Sequence, residues 1–203
     1  MTFNEGEHYF SENPRSKTTF NLIIAHLRGR KFEFFTSSSI FSKKRIDSGT
    51  RLLIESMVLP KKGPVLDIGC GYGAVGIAVA AFNPDLQVFL TDVNTRAVAL
   101  ARQNAEINGV KNVNVKQGNL YDPAGDKIFD CILSNPPISA GMDIVQAIIK
   151  KAPPRMSKNA SLQMVVKSKI GKKALPPIFE STFGNVSVLS VEGGYRVLMA
   201  VKS

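Results

Sequence analysis

Val65-Leu66-Asp67-Ile68-Gly69-Cys70-Gly71-Tyr72-Gly73-Ala74-Val75-Gly76 is the stretch on which the fold turns. A short apolar run passes into glycines and then into small residues, 74–82, which read as a helix closed by Asn83-Pro84. Strand, glycine turn and helix in that order open a βαβ unit, the building block of a parallel sheet. Glycines at such a junction let the backbone approach a ligand closely and leave a helix N-terminus facing it. The next apolar run, 86–91, ends in Asp92, where a carboxylate would take the hydroxyls of a ribose. For the glycines alone, the plain alternative is a tight turn with no ligand.

Beyond this unit, the alternation of strand and helix persists. Asn94 caps a helix that Gly109 stops, and 113–117 alternates as a strand. The run 128–133 reads as a buried strand. Asp143 is expected to cap a helix from 144 to about 151 that ends at Pro153-Pro154. A strand over 161–166 and a helix over 171–179, in spite of Pro176-Pro177, come next. Strands at 186–189 and 195–201 are joined by Glu192-Gly193-Gly194, a hairpin signal. Upstream, 31–36 reads as a strand and 47–58 as a helix stopped by Pro60. The pattern predicts an α/β, doubly wound, mostly parallel sheet with one antiparallel strand. Residues 1–60 are expected to be an extension packing on its substrate side, and 61–203 the main domain.

The second informative segment is Leu133-Ser134-Asn135-Pro136-Pro137-Ile138, at the end of a core strand. Each proline removes a backbone donor and fixes φ, and the residue before it is pushed out of the α region. The result is a stiff stub offering carbonyl oxygens and an Asn amide, suited to a ligand with a planar –NH2. Such an amine is a poor nucleophile because its lone pair is delocalised. If Asn135 Oδ1 and the Pro136 carbonyl accept its two hydrogens, the lone pair is left facing an electrophile. A rigid turn is the bland alternative for Asn-Pro-Pro by itself.

Two cofactors compete for the glycine loop. Gly71-x-Gly73-x-x-Gly76 matches the dinucleotide fingerprint, so hydride transfer has to be weighed. Asp67 ahead of it is awkward beside a pyrophosphate and comfortable beside the cationic methionine end of S-adenosylmethionine. Taken with the acidic end of the following strand and the later Asn-Pro-Pro-Ile, the arrangement resembles the class I methyltransferases that modify exocyclic or amide nitrogens. The segment 34–53, Phe34-Phe35-Thr36 through Arg51-Leu52-Leu53, is similar to that of the small-domain group related to the bacterial enzyme making N2-methylguanosine in small-subunit ribosomal RNA. The likeness spans nearly the whole chain and corresponds to the catalytic half of the longer two-part enzymes.

That resemblance implies a seven-stranded, Rossmann-like methyltransferase sheet and S-adenosylmethionine as cofactor. It assigns Asp67, Gly69, Cys70, Gly71 and Gly73 to the methionine end, Asp92 with Val93 to the ribose, and Asn119 with Leu120 to the adenine. Asn135, Pro136, Pro137 and Ile138 become the catalytic segment, with Asn135 also at the cofactor. Two positions depart from the family pattern. Ile138 stands where many amino-methyltransferases have an aromatic that stacks on the target base. Asn119 stands where Asp is common, and its carbonyl can still accept from the adenine amine.

Charge agrees with a polyanionic substrate. The net charge is +5 over residues 1–62, −2 over 63–135 and +7 over 136–203, within a total of +10. Basic flanks around a mildly acidic middle fit a small cofactor and an RNA substrate. Phe41, Lys43, Lys44 and Arg45 are the candidate RNA contacts, with Lys167, Lys169, Lys172 and Lys173 as further phosphate contacts. Phe20, with Tyr9 and Phe10, is expected either to stack on bases or to staple the N-terminal segment to the core. Cys70 and Cys131 read as small buried thiols. His8 and His26 lie far from both motifs, so no metal site is expected. With no apolar run near 18 residues and no signal peptide, a cytoplasmic protein without membrane association is expected. The expected activity is RNA N-methylation, at guanine N2 in ribosomal RNA or a ribosomal particle. The alternatives are adenine N6, a protein glutamine, or a non-catalytic RNA-binding module.

Overall fold

In the computed structural model, residues 20–37, 45–136 and 141–203 are described. A hairpin of β1 (Phe20–Leu27) and β2 (Arg30–Ser37) leads to α1 (Ser48–Ser56). The main unit then alternates β3 (Gly63–Ile68), α2 (Ala74–Phe82), β4 (Leu86–Asp92), α3 (Thr95–Ile107) and β5 (Val113–Gln117). It continues with β6 (Phe129–Ser134), α4 (Met142–Lys150), β7 (Met156–Lys167), α5 (Ser168–Gly171) and α6 (Pro176–Phe183). The strands β8 (Ser187–Glu192) and β9 (Tyr195–Val201) close it. The sheet has seven strands in the order β5-β4-β3-β6-β7-β9-β8, with β9 antiparallel to both neighbours and the other pairings parallel. The expected doubly wound α/β sheet, with one reversed strand, is what forms.

The topology places the site. The chain winds outward from β3 through β4 to β5, then returns to lay β6 on the other side of β3. The crevice between β3 and β6 is therefore the switch point, where ligands of open α/β sheets bind beyond the carboxyl ends of the strands. Both motifs leave the sheet there, at Ile68 and at Ser134. The Ser134 hydroxyl donates to the Ile68 carbonyl at 3.0 Å, tying the two strand ends together.

Apolar side chains fill both faces. One core gathers the hairpin, α1, α2 and α3 around Val65, Leu90 and Leu133. The other packs α4 and α6 on Leu66, Ile132 and Leu162. The hairpin is fastened to α3 by two amide side chains. Asn104 accepts from Phe35 N at 2.7 Å and donates to Phe35 O and to Tyr72 O, while Asn108 pairs in the same way with Glu33 N and O. Through Asn104 the hairpin is coupled to the glycine loop itself. Gln163, fully buried in β7, brackets Val58 by accepting from its N–H and donating to its carbonyl, which pins the α1–β3 connection to the sheet.

Several elements differ from the sequence reading. Ile128 is 44 % exposed and β6 starts at Phe129. β7 begins at Met156, five residues before the expected start, across a register shift against β6 between Phe129 and Cys131. Asp143 lies inside the first turn of α4, which follows Gly141 and has no side-chain cap. A carboxylate there still suits the positive end of the helix. The expected 171–179 helix is two pieces: Gly171 ends α5, and Pro176-Pro177 open α6, where the missing N–H groups cost nothing. Phe20 is 62 % exposed, so it does not staple anything to the core.

Candidate active site

The glycine loop is shaped by carboxylates working on backbone N–H groups. Gly69 and Cys70 both donate to the Thr91 carbonyl, and Gly73 N closes a turn on the Cys70 carbonyl. Gly73 has φ +91°, and a Cβ on it would sit 2.8 Å from Ile77 Cδ1 and 3.1 Å from Ala101 Cβ. Only glycine meets both demands. Gly76 is helical, but its Cβ would fall 2.6 Å from Leu90 Cγ, so it lets α2 press directly on β4.

Asp67 is 1 % exposed, and its Oδ2 accepts from Gly76 N at 2.8 Å. It sits beneath the loop and anchors the start of α2. Burial pushes its carboxyl up to about 7, against the Gly76 hydrogen bond and helped by the nearby Asp92 charge. Asp92, 6 % exposed at the end of β4, accepts from Gly71 N at 2.8 Å through Oδ2 and from Asn94 N at 2.9 Å through Oδ1. Its pKa is raised by burial, with the Asn94, Gly71 and Val93 N–H groups pulling the other way. An ionised carboxylate has about four acceptor positions, so Asp92 keeps capacity for a further donor such as a ribose hydroxyl. The Cys70 thiol is pushed well up, by burial first and then by Asp92 and Asp67, which favours the uncharged thiol.

Asn119 and Leu120 come to the same rim because Gly118 N donates to the Asp92 carbonyl. Asn119 is exposed. Leu120 holds φ +46°, unusual for a branched side chain, and its carbonyl accepts from Thr91 Oγ1 at 3.2 Å. Val93 is half-buried beside Asp92. The space over Gly69 is open, with nothing within 4 Å of where a Cβ would be. An open glycine backbone, a rim carboxylate and an exposed amide fit a nucleoside-bearing ligand.

Asn135 follows β6 and is held from a distance. Its Nδ2 donates to Thr50 Oγ1 at 2.8 Å and to Asp47 Oδ2 at 3.1 Å, both at the start of α1. Asp47 is also the N-cap of α1, accepting from Thr50 N at 3.0 Å. With the –NH2 face so engaged, Oδ1 is the atom left for a ligand. Pro136 is buried next to it. Pro137, Ile138, Phe41, Lys43 and Lys44 lie outside the described residues; Arg45 is exposed two positions before Asp47. Of the basic residues, Lys167, Lys169, Lys172 and Lys173 are all exposed, in and after the end of β7. β7 runs three residues beyond Met164, the register partner of Ser134, so Lys167 and Lys169 stand on the same rim as Asn135. The sequence reading missed Asp47, Thr50 and Thr91 as site residues. Asp47-x-x-Thr50 carried only the signal of a helix start. Among the described residues no group of His, Cys, Asp and Glu could hold a metal ion, and no helix is long and apolar enough to cross a membrane.

Comparison with known proteins bears on this geometry. The family model described as Methyltransferase small domain matches residues 31–199. The uncharacterized protein YbxB of Bacillus subtilis is 39 % identical over 198 residues, covering 97 % of this chain and 98 % of its own length. Ribosomal RNA small subunit methyltransferase C of Erwinia tasmaniensis is 33 % identical over 172 residues, which are 83 % of this chain and 49 % of that one. The solved T. thermophilus 16S rRNA N2 methyltransferase RsmC, in complex with AdoMet and guanosine, superposes with a TM-score of 0.81 at 26 % identity. That match covers 94 % of this chain and 52 % of the other. The chain thus spans about half the length of these ribosomal RNA methyltransferases.

Proposed function

The chain belongs to the methyltransferase small-domain family, and with it to the S-adenosylmethionine-dependent methyltransferases; from that membership we propose that it methylates the exocyclic N2 of guanine in small-subunit ribosomal RNA. The observation that carries this reading is the fixed amide of Asn135, whose –NH2 is committed to Asp47 and Thr50 and whose Oδ1 is left to accept. An acceptor with that polarity suits an amine on an sp2 carbon. The RNA assignment draws on the ribosomal RNA methyltransferases that the chain resembles and on the lysines beside the stub.

In this reading, Gly69, Cys70, Gly71 and Gly73 hold the methionine end of S-adenosylmethionine over a loop that Asp67 braces from below. Asp92 and Val93 meet the ribose, and Asn119 and Leu120 the adenine. When bound, the cofactor supplies a methyl group on a sulfonium. Asn135 Oδ1 and the Pro136 carbonyl accept the two amine hydrogens, which draws electron density onto nitrogen and turns its pair toward the methyl carbon. The methyl group would pass to that nitrogen with the thioether as leaving group, and an amine proton would go to water. Ile138 would give the base an apolar wall. Phe41, Lys43, Lys44 and Arg45, which precede α1 in the sequence, are assigned to the RNA, and Lys167 and Lys169 serve it on the β7 side. A guanine in folded RNA has to be looped out or flipped to reach the stub.

The test is incubation of the purified protein with methyl-labelled S-adenosylmethionine and, in parallel, small ribosomal subunits, their naked RNA, genomic DNA and a protein extract. Digestion of labelled RNA should yield N2-methylguanosine. Label in N6-methyladenosine, or in a protein glutamine in preference to RNA, would overturn the substrate assignment.

A further inference from the structure

We propose that Asp47 and Thr50 are positioning residues for the transfer step, locking the Asn135 amide in the orientation that turns Oδ1 toward the target amine. The inference rests on the reading of Asn135 given above. An asparagine amide carries a donor and an acceptor on nearly identical arms, and a half-turn about its last torsion exchanges them. An Asn135 free to turn would present –NH2 to the substrate amine, donor against donor, for part of the time.

The surroundings of Asn135 remove that freedom. Asp47 Oδ2 lies 3.1 Å from Nδ2, and a carboxylate can only accept. The flipped amide would set two oxygens at that distance. Thr50 Oγ1 takes the second Nδ2 proton at 2.8 Å. Both contacts are partly buried, so water is a poor substitute. The two partners are themselves fixed. Asp47 Oδ2 also accepts from Thr50 N at 3.0 Å, and the Tyr195 ring of β9 packs over Gly49 on the same side. A Cβ on Gly49 would come 2.9 Å from the Tyr195 ring and 3.0 Å from Asp47 Oδ2, so glycine there allows the cluster to close.

Helix capping alone does not account for the arrangement. A cap requires the Asp47 carboxylate and the Thr50 N–H, and it makes no use of the Thr50 hydroxyl. That hydroxyl is spent on a residue 85 positions away, at the mouth of a different strand. The segment before the sheet thus contributes to the reaction centre without touching the substrate.

Thr50→Val is the decisive substitution, since it keeps shape and deletes the hydroxyl while the Asp47 cap remains. Initial rates of label transfer from saturating S-adenosylmethionine to small ribosomal subunits are measured for wild type, Thr50→Val, Thr50→Ser, Asn135→Ala and the Thr50→Val/Asn135→Ala pair. Affinity for S-adenosylhomocysteine is measured by calorimetry alongside. Thr50→Val is expected to lower kcat about tenfold, the scale of one net hydrogen bond. Product affinity should be unchanged and Thr50→Ser should restore the rate. On the Asn135→Ala background, Thr50→Val should have no further effect. A wild-type rate in Thr50→Val, or an undiminished tenfold loss on the Asn135→Ala background, would overturn the positioning role while leaving Asn135 in place. A wild-type rate in Asn135→Ala would instead overturn the acceptor reading, and this inference with it. Asp47→Asn, which keeps one acceptor oxygen, should fall between wild type and Thr50→Val; a rate equal to wild type counts against the lock.

Discussion

The glycine loop and the Asn135 stub stand side by side on one rim, joined by the Ser134–Ile68 hydrogen bond, yet they are held by different means. The loop is held by carboxylates on backbone N–H groups, Asp67 on Gly76 and Asp92 on Gly71, within two consecutive βα units. The stub is held by side chains from α1, 85 and 88 residues earlier. One region is assembled from nearby chain and its pattern can be read in order. The other acquires its polarity only when the segment ahead of the sheet has docked. In the proposed function the loop binds the cofactor and the stub orients the target amine.

The largest expected effect lies on the loop side. Gly73→Ala should destabilise the fold by roughly 1–3 kcal/mol for its left-handed backbone, and by a similar amount again for the clashes with Ile77 and Ala101. Urea unfolding measures the sum. A variant as stable as wild type would mean that the loop relaxes, and that the contrast with the stub is overdrawn. Next comes the connection between the regions. Gln163→Leu leaves the Val58 N–H and carbonyl without their partner, at a cost of about 1–3 kcal/mol. If the connection also helps to seat α1, activity should fall further than stability alone explains.

Asp67 sets the loop apart from the stub through pH. Its carboxyl is held near 7 in the folded state, above its ordinary value of 3.8. The protonated form is therefore favoured by folding. The stabilisation is complete below about pH 4 and is lost as pH rises through about 7. Asp67→Asn keeps an acceptor for Gly76 and removes the titration. Relative to the variant, wild type should lose stability between about pH 4 and pH 8, with urea midpoints as the readout. A constant difference would place the ionised carboxylate in a better solvated setting than its burial implies. The smallest effect concerns the lysines. Lys167→Gln with Lys169→Gln should weaken RNA binding and flatten its salt dependence by roughly 0.7 in the log–log slope for each phosphate no longer neutralised. S-adenosylhomocysteine affinity should be unchanged.

Legibility in the sequence follows the same divide. The order of strands and helices from β3 to α4, the cap at Asn94, the stop at Gly109 and the hairpin at Gly193-Gly194 are local events with local signatures, and all are found. The loop residues and Asp92 were readable because spacing along the chain and spacing across the rim nearly coincide. β1 was not readable, because its outward residues Phe20, Leu22 and Ile24 are apolar and hide the alternation. The start of α6 at two prolines is hard to read because proline breaks a helix interior yet is well suited to the first turn. The roles of Asp47 and Thr50 leave no periodic trace at all. They depend on a tertiary contact between α1 and the end of β6.

In the proposed function there is a division of labour, with Asp92 serving affinity and Asn135 serving the transfer step. Calorimetry with S-adenosylhomocysteine and single-turnover rates on small ribosomal subunits, on Asp92→Ala and Asn135→Ala, test it in one crossed comparison. Asn135→Ala should lose on the order of 10² to 10³ in rate, the scale of one preorganised polar partner, with affinity little changed. Asp92→Ala should lose affinity and recover most of its rate when the cofactor is raised to saturation. Equal losses of affinity in both variants, or a wild-type rate in Asn135→Ala with cofactor bound, would refute that division.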